Sequence, residues 1–327
     1  MPGFGGSDLA VLDLALERDA RGGWRVSQHH SHLRDNSAQT LADPVVLSAA
    51  RISHIGTRKH LEEVVGHTGT ALHNYFALAM PTPIDALTAR AQAEVIRKGV
   101  AGTADSALPI LAATAAHTAG GRGGPEHFLH IPPGAVRRRH ITGLVPYHNA
   151  VWALRITGAD LRRRLEKATE VYTQLISGTG PLLDPCRPPF HCDTIYGVTY
   201  AIDPQRPRGA RITALSWQGA PVEPDQRFLL ATNQFRAAGG GGFDRIPIAD
   251  VVLRSSLPLT DALIAALATG PDHPWSDAVP WHFDATGAQA VHYTSPGALP
   301  FLSDIAHLSP DPRGITASGF AQIRIRL

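Results

Sequence analysis

Three apolar segments in close succession decide the fold class: TIYGVTYAI at residues 194–202, RITALSW at 211–217 and RFLLATNQ at 227–234. They are rich in β-branched, aromatic and leucine residues, which pack well on a pleated sheet. The connections between them contain Asp-Pro, Gly-Ala-Pro and Glu-Pro-Asp, which are typical turn sequences. Because no helix separates these strands, the pattern predicts an α+β fold with a mixed, largely antiparallel sheet flanked by helices.

Further strands and helices are predicted before and after these three segments. Apolar runs predict further strands at 108–113, 151–156 and 319–327, and helices at 43–65, 82–99, from 157 onward and at 258–268, the last ended by Gly270. Asp43 and Thr82 each precede a proline, and a capping side chain before a proline at the first helical position is a helix start signal.

Two local patterns predict a hairpin near the start of the chain and an amphipathic helix after Thr157. Residues 9–16 and 24–26 flank the turn-like Arg21-Gly22-Gly23 and predict a hairpin, which needs another surface to pack on because an isolated hairpin is marginally stable. In the helix after Thr157, one face collects Leu161, Leu165, Ala168 and Tyr172. Arg162, Arg163 and Arg164 fall mostly outside that face, so we expect them on a solvated surface.

Composition excludes several classes of protein. Hydrophobic residues make up 43% and charged residues 18% of the 327, and no apolar run approaches the roughly 20 residues that cross a bilayer. The chain is therefore expected to be soluble and globular, without a membrane partner. A formal charge of +2 gives no broad basic face for a nucleic-acid polymer.

No catalytic constellation is legible from the residues alone. Seventeen histidines are present, but no Asp-x-His, Asn-His or Gly-His-x-His set accompanies them, and His29, His30 and His32 are expected on the surface. Neither a nucleophile elbow nor a P-loop ending occurs. Cys186 and Cys192 could form a disulfide in an oxidising compartment or remain thiols in a reducing one.

Two glycine runs indicate loops in which the backbone turns sharply or approaches another group closely. AGGGGF at 238–243 follows Phe235, and GGRGG at 120–124 displays Arg122. A guanidinium on such a loop suits a phosphate, although an ordinary surface loop explains the same residues.

Several stretches occur in one order along the chain: LHNYFA at 72–77, GGRGGP at 120–125, VPYHN at 145–149, ITGADL at 156–161, DTIYGVTYAID at 193–203 and ATNQFRAAGGGGF at 231–243. Together with residues 1–14, they resemble the end of the metallophosphoesterase domain and the C-terminal domain of bacterial 2′,3′-cyclic-nucleotide 2′-phosphodiesterase/3′-nucleotidases, relatives of the 5′-nucleotidases. The resemblance covers nearly the whole chain.

The resemblance implies both an organisation and a binding site. Residues 1–33 would be a remnant of the metallophosphoesterase domain that forms the hairpin, 34–100 interdomain linker and helices, and 101–327 a substrate-binding domain of the 5′-nucleotidase C-terminal type. In this family two aromatic rings sandwich the nucleotide base, and their motif positions fall on Tyr147 and Phe235. Asn149 is implied as a base-edge contact, and Arg122 as a contact to the phosphate or ribose.

The resemblance also implies what this chain lacks. The metal ligands of the family precede the segment that resembles residues 1–14, so we expect no catalytic residue and no metal here. The divalent metals (Mn, Co or Zn) would belong to a catalytic domain, which a separate metallophosphoesterase polypeptide could supply. The chain would then be the nucleotide-binding part of a hydrolase of nucleotide catabolism, acting on 2′,3′-cyclic nucleotides and 3′-nucleotides. By itself it would bind the nucleoside without hydrolysing the nucleotide. A non-catalytic binding module and a decayed gene fragment remain alternatives.

The resemblance also bears on the cellular location, and the sequence departs from the family pattern at two places. The resemblance implies the periplasm, whereas the absence of a signal peptide implies the cytoplasm if the chain is expressed as it stands. Ala116-His117-Thr118 replaces the usual Pro-Phe-Lys of the family, and Asp8 stands where histidine is common. Since the first departure lies near the Arg122 loop, the pocket wall is expected to differ.

Overall fold

The computed structural model describes residues 6–37, 39–176, 179–269 and 278–327. The chain divides into two compact units, residues 1–60 and 61–327. Gly270, predicted to end a helix, lies outside the described residues.

Helices and strands alternate irregularly along the chain. The strands are β1 (Asp8–Arg18), β2 (Trp24–Asp35), β3 (Val64–Thr68), β4 (Leu72–His73), β5 (Ile110–Ala115), β6 (His130–Ile131), β7 (Gly134–Arg137), β8 (Ala150–Thr157), β9 (Thr179–Pro181), β10 (Asp193–Tyr196), β11 (Thr199–Ile202), β12 (Ile212–Trp217), β13 (Ala220–Pro221), β14 (Arg227–Asn233), β15 (Val251–Pro258), β16 (Trp281–Phe283), β17 (Gln289–Thr294), β18 (Asp311–Ile315) and β19 (Ala321–Arg326). The helices are α1 (Pro44–Leu61), α2 (Pro83–Gly99), α3 (Arg138–Leu144), α4 (Gly158–Ala168), α5 (Gln234–Ala237) and α6 (Leu259–Ala268).

The first unit contains the predicted hairpin and most of the first predicted helix. β1 and β2 pair antiparallel, and β2 continues nine residues past the predicted end at Val26. Asp43 caps α1 as expected, since its Oδ1 accepts from the backbone N–H of Val45 at 2.7 Å. The predicted extension of this helix to residue 65 is wrong, because Val64 starts β3, which gains a strand partner in β7.

The second unit is built around a five-stranded sheet of order β10-β5-β14-β8-β15. β5 and β14 are parallel, and the other neighbours in this sheet are antiparallel. Two four-stranded sheets, β13-β12-β11-β16 and β18-β19-β17-β9, each contain one parallel pair. The predicted α+β fold with a mixed, largely antiparallel sheet is confirmed.

β14 lies at the centre of the five-stranded sheet, which explains why its sequence RFLLATN is apolar almost throughout. Phe228 and Leu230 face a hydrophobic cluster that includes α4, whereas Leu229 and Ala231 face a second cluster that includes α2 and α6. Helices therefore cover both faces of the sheet. Burial of a leucine side chain stabilises the fold by about 2 kcal/mol, so this double coverage is a main source of stability.

Capping and burial confirm some local predictions and correct others. Thr157 caps α4, accepting from the N–H of Asp160 at 3.2 Å, and the predicted apolar face of this helix is buried. Arg164 is only 4% exposed, so its predicted place on a solvated surface is wrong. The predicted strand at 194–202 is also wrong as a single element, because Gly197 adopts a φ of 97° and passes the chain from β10 to β11 in a different sheet.

Candidate functional site

Four connections meet at one edge of the five-stranded sheet. The parallel strands β5 and β14 both end at this edge, after Ala115 and Asn233. β8 and β10 run the other way and begin there, since Val151 pairs with Asn233 and Asp193 pairs with Ala115. The loops next to these strand ends carry all four residues that the resemblance implies as ligand contacts.

Tyr147 lies in the connection that leads into β8, with 63% of its surface exposed. Its carbonyl accepts from the N–H of Asn149 at 2.8 Å, and the carbonyl of Asn149 accepts from the N–H of Leu259 at 3.1 Å. These bonds fix the backbone against the start of α6. The Tyr147 ring packs edge-to-face with the ring of His117, with 6.3 Å between centroids and 75° between planes.

Phe235 lies on α5, directly after β14, and is 47% exposed. Its ring covers Gly240 so closely that a Cβ atom at Gly240 would lie 2.5 Å from the ring carbons. Gly239, Gly241 and Gly242 have φ angles of 91°, 76° and 75°, which non-glycine residues rarely adopt. The sharp turn and close approach expected after Phe235 are therefore present.

A buried ion pair holds this glycine loop to the start of β10. The Nε of Arg236 donates to Oδ1 of Asp193 at 3.0 Å, and the two side chains are 2% and 3% exposed. Arg236 also donates to the carbonyls of Gly240, at 3.1 Å, and Phe190. Burial raises the pKa of Asp193, and the charges of Arg236 and Arg164 oppose that shift. Neither residue of this pair was predicted from the sequence, although a charged residue next to the end of each of two buried strands was a signal for it.

Arg122 lies in the short helical turn Gly121–Gly123 of the connection after β5. It is exposed, and no ion pair or hydrogen bond joins it to the described part of the chain. A Cβ atom at Gly121 would lie 3.0 Å from Pro189, so this loop abuts the turn whose Phe190 carbonyl binds Arg236. The four implied residues thus share one sheet edge, but no hydrogen bond, ion pair or ring contact joins any two of their side chains within the described ranges.

A cavity of about 520 Å³ lies beside α4 and reaches the glycine loop at Gly242 and Phe243. Its lining includes Arg162, Arg163, Arg164, Lys167, Glu166, Glu170 and Asp244, and none of the four implied ligand contacts. The cavity and the predicted nucleoside site are therefore neighbouring but different features.

The described residues contain no group of three or more His, Cys, Asp or Glu side chains that could hold a metal ion. The described residues therefore offer no ligand set for the divalent metals that the resemblance implies. Cys186 is exposed and Cys192 buried, and both are free. Within the described ranges, no helix is long and apolar enough to span a membrane.

Comparison with known proteins identifies the family of this chain. Residues 55–247 match the family model of the 5′-nucleotidase C-terminal domain. The chain belongs to this family. Among its relatives, the trifunctional nucleotide phosphoesterase YfkN of Bacillus subtilis is 30% identical over 94% of this chain. A 2′,3′-cyclic-nucleotide 2′-phosphodiesterase/3′-nucleotidase of Salmonella typhimurium is 31% identical over 73% of it. The predicted family resemblance is confirmed.

The chain spans less than half the length of these relatives. The matched region spans 22% of the Bacillus protein and 41% of the Salmonella protein. A solved structure from Staphylococcus aureus assigned as a 5′-nucleotidase has a TM-score of 0.63 at 21% identity, covering 86% of this chain and 51% of its own. A Thermus thermophilus 5′-nucleotidase precursor has a TM-score of 0.55 at 14% identity, covering 85% and 50%. These structures support the fold.

Proposed function

We propose that this chain binds a nucleoside or nucleotide at the sheet edge, with the base between Tyr147 and Phe235. The observation that carries the proposal is that both rings are exposed, Tyr147 to 63% and Phe235 to 47%, on neighbouring connections whose backbones are fixed. An exposed large aromatic ring is available for stacking, and each base–aromatic contact is worth roughly 1–3 kcal/mol. Stacking tolerates many bases, which suits a protein that collects mixed nucleotides.

Asn149 and Arg122 supply polar contacts in this proposal. The side-chain amide of Asn149 can donate and accept at a base edge, and no hydrogen bond occupies it within the described chain. The exposed guanidinium of Arg122 offers a fork of donors that matches phosphate oxygens. Together they favour a nucleotide over an uncharged aromatic ligand.

The names of the relatives suggest the wider reaction. We infer that the chain provides the nucleotide-binding part of a hydrolase acting on 2′,3′-cyclic nucleotides and 3′-nucleotides, in nucleotide catabolism and in the periplasm. The sequence contains none of the metal-ligand motifs of such enzymes, so the chain alone binds and does not cut. A metallophosphoesterase domain would supply the metals and the hydrolytic step.

Calorimetric titration with adenosine and 3′-AMP tests the binding proposal. Tyr147→Ala and Phe235→Ala are each expected to weaken binding about 5- to 100-fold, in line with the loss of one stacked ring. Tyr293→Ala is the matched control, because Tyr293 is 40% exposed on β17. Equal affinities of the wild type and the Tyr147→Ala, Phe235→Ala double variant would contradict the proposal.

A phosphatase assay tests the separation of binding from cutting. The purified chain is incubated with manganese or cobalt and 2′,3′-cyclic AMP, alone and with a metallophosphoesterase polypeptide encoded beside it. No turnover is expected for the chain alone, and turnover is expected for the mixture. Hydrolysis by the chain alone would overturn its binding-only role, and no turnover in either case would overturn the hydrolase assignment.

A further inference from the structure

His117 lies at the same sheet edge as Tyr147 and Phe235, two residues after β5 ends. Its connection is held by Asn74, whose Nδ2 donates to the carbonyl of Thr118 at 2.8 Å and to its Oγ1 at 2.9 Å. Oδ1 of Asn74 accepts from the N–H of Leu129 at 2.8 Å, which fixes the orientation of the amide. The His117 side chain therefore projects from a well-anchored backbone.

The imidazole of His117 packs beside the ring of Tyr147. The two rings meet edge-to-face at 6.3 Å, a favourable geometry for an aromatic pair. His117 is half-buried, and no hydrogen bond joins either of its ring nitrogens to the described part of the chain. A ring nitrogen without a protein partner is open to water or a ligand.

The surroundings of His117 keep its ring neutral. Burial, reinforced by the nearby charge of Arg236, lowers the pKa of His117 to about 4. A neutral imidazole presents one N–H donor and one nitrogen acceptor. It can therefore recognise a ligand edge that offers a complementary acceptor or donor.

We propose that His117 is a specificity-determining residue of the nucleoside site and contacts the hydrogen-bonding edge of the base held by Tyr147 and Phe235. This inference rests on the proposed function. Stacked rings tolerate every base, whereas a site that hydrogen-bonds a ligand group discriminates against analogues that lack it. His117 thus adds base selectivity to a clamp that supplies mainly affinity. Its position is also where the sequence departs from the Pro-Phe-Lys pattern of the family.

The test compares adenosine with three analogues that each lack one edge group. Purine riboside lacks the exocyclic amine of adenosine. 1-Deazaadenosine lacks the acceptor N1 of the Watson–Crick edge, and 7-deazaadenosine lacks the acceptor N7 of the Hoogsteen edge. We expect the wild type to prefer adenosine to at least one analogue by about fivefold or more. His117→Phe keeps an aromatic ring against Tyr147 and is expected to reduce that preference to less than about twofold. His117→Gln retains a donor and an acceptor and should restore part of it.

The controls separate the failure of this inference from the failure of the proposed function. His282→Phe changes an exposed histidine on β16 and should leave every preference unchanged. If adenosine binds to the wild type but neither His117 variant changes any preference, the role of His117 is overturned while the clamp stands. If adenosine does not bind to the wild type, both proposals are overturned. Thermal melting of each variant shows whether it is folded.

Discussion

Arg236 and Asp193 form a buried ion pair, with 3.0 Å between Nε and Oδ1, that ties the loop carrying Phe235 to the first residue of β10. Asp193 in turn pairs with Ala115 at the end of β5. The pair therefore links three of the four connections at the site edge, since Arg236 also binds the Phe190 carbonyl in the turn that abuts the Arg122 loop. Its geometry determines where the candidate ligand contacts lie.

Removing Arg236 should destabilise the fold strongly. Arg236→Met leaves the buried carboxylate of Asp193 and the part-buried carbonyls of Gly240 and Phe190 without their donor, and breaking a buried ion pair in this way destabilises a fold by about 3–5 kcal/mol. Arg206→Met is the matched control, because Arg206 binds Asp203 at the same 3.0 Å but is 54% exposed. Arg206→Met should lower the free energy of unfolding by less than about 1 kcal/mol. Urea denaturation measures the free energy of unfolding of both variants, and an equal loss in the two would contradict the structural role of Arg236.

Gly240 should affect both nucleoside affinity and stability, because it lies in contact with the ring of Phe235. A Cβ atom there would lie 2.5 Å from the ring, so Gly240→Ala must displace the ring or the loop. We expect affinity for adenosine to fall about fivefold or more, together with a loss of about 1–3 kcal/mol in stability. Gly69→Ala is the control, since a methyl group added at Gly69 would have no other atom within 4 Å. Unchanged adenosine affinity in Gly240→Ala would place the base elsewhere.

The sequence identified most of this architecture because strands and caps are local signals. Apolar runs and residues such as Asp43 and Thr157 placed most of the elements, and the ordered motifs placed the family. Gly197 was harder, because TIYGVTYAI is apolar on both sides of the glycine, and only tertiary packing assigns its two halves to different sheets. Arg164 was misplaced because helical spacing cannot show that Phe243 returns to cover that side of α4.

The candidate site was predictable only in part for the same reason. Motifs alone predict Tyr147 and Phe235 as ligand contacts, whereas the ion pair of Asp193 and the ring contact of His117 depend on which strand ends share an edge. Strand order and direction are properties of the folded sheet. A sequence can identify His117 as an unusual residue for the family, but it cannot show that the ring of Tyr147 lies 6.3 Å away.

Asp85 should make stability depend on pH. It is buried in the first turn of α2, where it accepts from the hydroxyl of Thr82 at 2.6 Å, and burial raises its pKa from 3.8 to about 6. Because the folded state holds this proton more tightly than the unfolded state, the contribution of Asp85 is fully present below about pH 4. It is lost as the pH rises from about 4 through 6.

Asp85→Asn should remove this dependence. Asparagine can still accept from Thr82 but cannot ionise, so at about pH 8 the variant is expected to be more stable than the wild type by about 1–3 kcal/mol. The advantage should shrink toward zero at about pH 4. Urea denaturation at a series of pH values measures it, and a constant difference between the two proteins across this range would show that Asp85 does not titrate within it.

Arg164 is a buried cation that an apolar side chain should replace with a gain in stability. All three of its guanidinium nitrogens are buried without a hydrogen-bond partner among the described residues, and its Cζ lies 5.6 Å from the centre of the Phe243 ring. An unsatisfied buried donor is costly, and replacing a buried charge with an apolar side chain of similar volume is often stabilising.

We therefore expect Arg164→Met to raise the free energy of unfolding by about 1–3 kcal/mol. Methionine retains a contact with Phe243, and Asp193 retains Arg236 as its partner. Arg163→Met, one residue earlier on α4 and 60% exposed, should change stability by less than about 0.5 kcal/mol. A loss of stability in Arg164→Met would mean that water or a bound anion satisfies the guanidinium in solution. Phosphate titration of the wild type, followed by its melting temperature, would then distinguish these two partners, because only an anion site would stabilise the protein as phosphate is added.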